Sequence, residues 1–131
     1  MNSHTQTQVF SASKQTLFRF LADIQNLPKW ATAFALEVKV VDGKHKVVTP
    51  EGEIFFQIDS DINTGIIDMH CGAEENQLAY FPSRVINLPD GMSAYHITNF
   101  QWPGVTDEMF VAENNELAEE FENIKLHVEI G

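Results

Sequence analysis

The segment from Asp107 to Val128 limits the fold more than any other part of the chain. Phe110, Leu117, Phe121, Ile124 and Val128 recur at steps of three, four and seven within a run rich in glutamate. That is the pattern of a long amphipathic helix with one buried stripe. At ~1.5 Å per residue such a helix extends about 30 Å, enough to cross the whole sheet of a small domain. Thr106 offers an N-cap, and Asp107 and Glu108 suit the positive end of the helix dipole. The apolar stripe requires a concave partner, and the glutamates predict a solvated outer face.

The rest of the chain supplies that partner. Thr5 to Ser11 reads as a strand, and Ser11-Ala12-Ser13 caps a helix in which Leu17, Phe18, Phe20, Leu21 and Ile24 share one face. Pro28 breaks this helix and starts a second short one carrying Trp30 and Phe34. From Leu36 the period changes to two. Leu36, Val38 and Val40 alternate with polar residues, and Asp42-Gly43 signals a hairpin into Lys44–Thr49. Pro50-Glu51-Gly52 is a turn or a bulge, and Ile54, Phe56 and Ile58 form the apolar face of the next strand. Turns at Asn63-Thr64-Gly65, Glu74-Glu75-Asn76 and Pro89-Asp90-Gly91 separate strands at Ile66–Cys71, Leu78–Leu88 and Met92–Trp102. Strand, two helices, hairpin-linked strands and a long helix make an α+β layout, with the helix sealing a curved antiparallel sheet. Space left between them is a pocket.

At 131 residues there is room for one domain, spanning 1–131. Nineteen acidic against eight basic residues give a net charge of −11, which repels nucleic acid and anionic lipid headgroups. The apolar runs fall far short of the ~20 residues of a membrane span, so no membrane insertion is expected. The polar start, Met1 to Gln8, has no signal-peptide core and predicts residence in the cytoplasm. A single cysteine, Cys71, rules out an internal disulfide and a cysteine-rich zinc site, and reads as a small buried thiol.

Certain residues in this order resemble a known superfamily. They are Phe20-Leu21-Ala22-Asp23 with Asn26-Leu27-Pro28-Lys29-Trp30, then Thr49-Pro50-Glu51-Gly52, Gly65-Ile66-Ile67-Asp68, Arg84-Val85, and Pro103-Gly104 with Thr106-Asp107-Glu108. Together they resemble the START-like helix-grip superfamily (SRPBCC), which includes Bet v allergens, lipid-transfer domains and polyketide cyclases. Phe121, Ile124-Lys125 and Glu129 are similar to its branch of small bacterial polyketide cyclase/dehydratase-like proteins. The resemblance runs from about Val9 to Glu129. It implies a curved antiparallel sheet wrapped around the C-terminal helix, two short helices after the first strand, and a pocket between sheet and helix. It does not imply catalysis, because such superfolds host many functions.

Sharp catalytic motifs are absent from the sequence: there is no Gly-rich phosphate loop, His-Glu-x-x-His, nucleophile elbow or Cys-x-x-Cys. His4, His45, His70, His96 and His127 are scattered singly, so neither a metal nor a cofactor is expected. Asp68 and His70 share a strand face, but Ile67, Met69 and Cys71 form the apolar face, which puts the acid and imidazole outside. Arg84 has Tyr80, Pro82, Ile86 and Leu88 as same-face neighbours; it either anchors a ligand carboxylate or carbonyl in the pocket, or pairs with an acid. For Met92–Trp102 both faces mix polar and apolar groups, so alternation does not decide whether Tyr95 points inward. The expected ligand-binding set is Arg84, Tyr95, Trp30, Phe34, Phe56, Phe110, Leu117 and Phe121. The function expected of it is binding or carrying a small hydrophobic or aromatic molecule. The alternatives are a cyclase/dehydratase-type enzyme and a ligand-responsive regulatory or interaction module, which a homodimer through an exposed strand or helix face also fits.

Overall fold

The computed structural model describes residues 1–129. In chain order the elements are β1 (Ser3–Phe10), α1 (Lys14–Ala22), a 3₁₀ turn (Ile24–Asn26), α2 (Leu27–Trp30), β2 (Glu37–Val41), β3 (Lys44–Thr49), β4 (Gly52–Asp61), β5 (Ile66–Gly72), β6 (Ala79–Phe81), β7 (Ser83–Asn87), β8 (Ser93–Phe100) and α3 (Asp107–Val128). The strands form one antiparallel sheet in the order β1-β8-β7-β5-β4-β3-β2, with β6 paired to β5. This is an α+β helix-grip architecture, a sheet curved around a long C-terminal helix.

Local chemistry sets the boundaries. The Ser13 hydroxyl accepts from the Thr16 N–H (3.1 Å) and starts α1, which buries Leu17, Phe18 and Leu21. The Asp23 carboxylate then accepts from the Gln25 N–H (2.9 Å) and holds the 3₁₀ turn. Thr106 caps α3 in the same way through the Met109 N–H (3.1 Å). Phe34 lies in a turn just beyond α2 rather than on it, because α2 ends at Trp30. Between Thr49 and Gly52, which are paired across the ladder, Pro50 and Glu51 make a two-residue turn, so this step joins two strands and is not a bulge. The Thr49 hydroxyl fastens it, donating to the Gly52 carbonyl (2.7 Å) and accepting from the Glu51 N–H (3.2 Å).

The expected single strand Leu78–Leu88 is two strands. Pro82 has no N–H for the ladder and divides them: β6 pairs with β5, and β7 pairs chiefly with β8. A close approach nearby requires glycine. Gly65 has φ +80°, its carbonyl accepts from the Val85 N–H (2.8 Å), and a Cβ there would stand 2.0 Å from the Val85 carbonyl oxygen.

The core fills the concave face under α1 and α3. Phe121 from α3 packs its ring against Tyr95 of β8 (5.4 Å between centroids) and Phe10 of β1 (6.4 Å). Polar ties fix the helix over the sheet. Asn99 donates to Asn114 (3.0 Å), Asn123 donates to the Trp30 carbonyl (3.0 Å), and the Glu129 carboxylate accepts from the Ser11 N–H (3.0 Å). The middle of α3 is held off the strands β4 and β5, and a cavity lies between.

Candidate functional site

The cavity has a volume of about 150 Å³ and is walled from three sides. The α2 region contributes Leu27, Trp30, Ala31 and Phe34, and the sheet contributes Phe56, Met69, Cys71, Phe81, Ile97 and Asn99. From α3 come Leu117 and three glutamates, Glu113, Glu116 and Glu120. The inner-facing residues of β5 and β8 follow the two-residue period, Met69 and Cys71 on one, Ile97 and Asn99 on the other. Phe34 and Phe56 meet in the cavity wall with centroids 6.2 Å apart and rings tilted at 52°.

Among the described residues no lysine, arginine or histidine lines the cavity, and the only charges its wall can carry at neutral pH are those of carboxylates. Glu120 is half-buried; desolvation first, and then the like charges of Glu116 and Glu119, push its carboxyl up to about 8. Desolvation also raises Glu113, against the lowering effect of Asn99 and with a further push from Glu116. The Cys71 thiol is pushed up to about 12 by burial and by Glu113, so it is a neutral wall group and not a nucleophile. Trp30 is only 3% exposed, and its indole N–H has no hydrogen-bond partner among the described residues.

Of the residues the sequence nominated, Trp30, Phe34, Phe56 and Leu117 converge on this cavity. The others do not. Arg84 is exposed on the outer face of β7, where its Nε donates to the Thr64 carbonyl (3.0 Å). The expectation that it faces the pocket fails because Phe81, Ser83 and Val85 point inward, leaving Tyr80, Arg84 and Ile86 on a partly apolar outer surface. Tyr95 does point inward, but it is fully buried in the core against Phe121 and its hydroxyl has no hydrogen-bond partner among the described residues; the neighbouring Ser83 hydroxyl donates to the Ile67 carbonyl. Burial raises the Tyr95 phenol well above its ordinary value. Phe110 and Phe121 are core residues of α3 away from the cavity wall.

On the outer face Tyr80 donates to Asp68 (2.8 Å) and stacks on His70 (4.9 Å), a cluster separate from the cavity. The residues that sequence reasoning missed are the apolar Leu27, Ala31, Met69, Cys71, Phe81 and Ile97 and, on the polar side, Asn99 and the three glutamates. The solvated outer stripe expected of α3 is therefore only partly that, since Glu113, Glu116 and Glu120 recur at steps of three and four beside Leu117 and turn toward the cavity. That spacing was the available signal. Among the described residues there is no cluster able to hold a metal ion, and no helix is long and apolar enough to cross a membrane.

No protein-family model and no curated protein matches this chain. Solved structures do. The aromatase/cyclase Zhui from Streptomyces sp. R1128 is similar with a TM-score of 0.75 at 14% identity, over 98% of this chain and 93% of that one. A START superfamily protein from Mycobacterium smegmatis is similar with a TM-score of 0.65 at 12% identity, over 97% of each chain. Aha1 from Colwellia psychrerythraea, solved as a dimer, is similar with a TM-score of 0.75 at 17% identity, over 100% of this chain and 98% of that one. At such identities the likeness establishes the fold alone, a sheet gripping a long C-terminal helix.

Proposed function

We propose that this domain binds one small aromatic or otherwise apolar molecule between sheet and C-terminal helix, and carries or presents it. The observation behind the reading is the cavity itself. It is a space of about 150 Å³ walled by Trp30, Phe34, Phe56, Met69 and Leu117. A cavity of about this volume has room for a single aromatic ring. Trp30, Phe34, Phe56 and Leu117 are the proposed contacts. Arg84 and Tyr95 have no part in it, one being outside and the other sealed in the core.

The test is titration of the isotopically labelled protein with indole, followed by amide chemical shifts. Shifts are expected to cluster on Trp30–Phe34, β5 and the middle of α3. Leu117→Trp, which fills the cavity from the helix side, is expected to weaken binding at least tenfold while the circular dichroism spectrum stays that of the parent. Shifts scattered over the surface, or a Leu117→Trp variant that binds as well, would remove the reading.

A second reading, an enzyme of cyclase or dehydratase type, draws on one observation: a carboxyl raised to about 8 beside an apolar cavity is poised for proton transfer near neutral pH. Likeness to an aromatase/cyclase supports it at the level of fold only. Self-association belongs to the same level, by analogy with the Aha1 dimer, and sedimentation velocity decides it.

A further inference from the structure

The polar side of the cavity carries information about its occupant. Glu113, Glu116 and Glu120 stand on one flank of α3 at the cavity wall. None is among the ion pairs of the described residues, which join Lys39 to Glu53, Lys44 to Glu75, Lys125 to Glu129 and His70 to Asp59. Like charges three and four residues apart on a helix repel, and the partial burial of Glu113 and Glu120 adds a desolvation cost. Nothing basic from α2, β4, β5 or β8 lines the space to offset them. The opposite wall is aromatic, with Trp30, Phe34 and Phe56, and ring faces attract cations. Trp30 presents its ring to this space from α2 and is itself 3% exposed, so the aromatic wall is held rigidly by the core.

We propose that the cavity takes a protonated amine on an aromatic frame, its ammonium held by the carboxylates of α3 and its ring between Trp30, Phe34 and Phe56. This deepens the binding reading above and rests on it. It also reverses the polarity that an arginine anchor would have set, since a ligand carboxylate entering here meets three glutamates and no cation.

The raised carboxyls supply a second signature. Glu120, pushed up to about 8 by desolvation, Glu116 and Glu119, is largely protonated at neutral pH in the empty protein. An arriving ammonium favours the ionised form, so binding releases protons at pH 7. Affinity therefore rises from pH 6 to pH 8.5 and falls again once the amine deprotonates. The titratable groups facing Glu120 are Glu113, Glu116 and Glu119 on α3, Tyr95 on β8, and, on the cavity wall of β5, Cys71; the phenol and the thiol both stay neutral through this range.

The experiment is isothermal titration of the full chain with three compounds of one frame: tyramine, tyrosol and 4-hydroxyphenylacetate, bearing ammonium, hydroxyl and carboxylate. Expected at pH 8 is tyramine at least tenfold tighter than tyrosol, with 4-hydroxyphenylacetate weakest. The tyramine-to-tyrosol ratio should collapse to about one in the Glu116→Gln/Glu120→Gln double variant. Tyramine titrated at pH 7 in buffers of different ionisation enthalpy should report proton release. Equal binding of tyramine and tyrosol would overturn the amine proposal and leave the apolar cavity standing. Binding of indole but of none of the three would do the same. Failure of all four compounds would bring down both.

Discussion

Ser93 and Tyr95 stand two residues apart on the inner face of β8, both with no measurable exposure, and their hydroxyls differ in what they touch. The Ser93 hydroxyl donates to the Ala12 carbonyl (2.6 Å), fastening the start of α1 to the sheet. The Tyr95 hydroxyl has no hydrogen-bond partner among the described residues. Ser93→Ala leaves the Ala12 carbonyl buried and unpaired and is expected to cost about 1–2 kcal/mol in urea denaturation. Tyr95→Phe keeps the ring against Phe121 and removes an unpaired polar atom, so its stability should match or exceed the parent's by up to about 1 kcal/mol. A loss above 2 kcal/mol would show that the phenol is bonded after all. At this scale the sequence is least legible. Alternation on β8 does not separate Tyr95 from His96, because each face carries both apolar and polar groups. Arg84 misleads because its apolar neighbours Tyr80 and Ile86 sit on the outside of the sheet. The glutamates mislead for the opposite reason: charge belongs in water as a rule, and only the gap between α3 and the sheet turns part of their stripe inward.

Elements are far more legible. The limits Asp107 and Val128 of α3 can be read from its cap and stripe, and Asp42-Gly43 forms the expected turn with both residues at positive φ. What local signals do not give is how separate elements touch. Gly65 and Gly43 illustrate this, with nearly equal φ of +80° and +77°. Around Gly43 a Cβ meets nothing within 4 Å, whereas at Gly65 it meets the Val85 carbonyl at 2.0 Å. Gly43→Ala is therefore expected to cost only the backbone strain, about 1 kcal/mol. Gly65→Ala adds displacement of β7 and should cost at least ~2 kcal/mol more. Guanidinium melts of the two variants measure the difference, and equal losses would mean that the β5 turn does not press on β7. Pro82 is the same kind of case: visible in the sequence as a ladder breaker, it does not say that the halves on either side pair with different strands.

For the molecule as a whole, the net charge of −11 and the raised carboxyls act together on stability. Glu120 lies near 4.5 when unfolded and about 8 when folded, so the folded form holds its proton more tightly. The stabilisation from that proton is complete below pH 4.5 and is lost as pH rises through 8. Glu120→Gln has no such loss. Its stability should equal the parent's near pH 4.5 and exceed it by roughly 1–2 kcal/mol at pH 9, a figure reduced for partial solvent screening. Denaturant titrations of both proteins across this range provide the check, and parallel curves would mean that the carboxyl is fully solvated.

The sheet order has a consequence in time. β1 lies against β8, with Ser3 opposite Phe100, while β2, the next strand in the chain, closes the far edge. On a ribosome adding about 5–20 residues per second, the first strand waits roughly 5–20 s for its partner to be made. Throughout that interval Val9 and Phe10 have no ladder, and Phe10 has no Phe121 to cover it. The strand made first is the last to be closed in, and a nascent chain of this fold depends on whatever shields that strand until then.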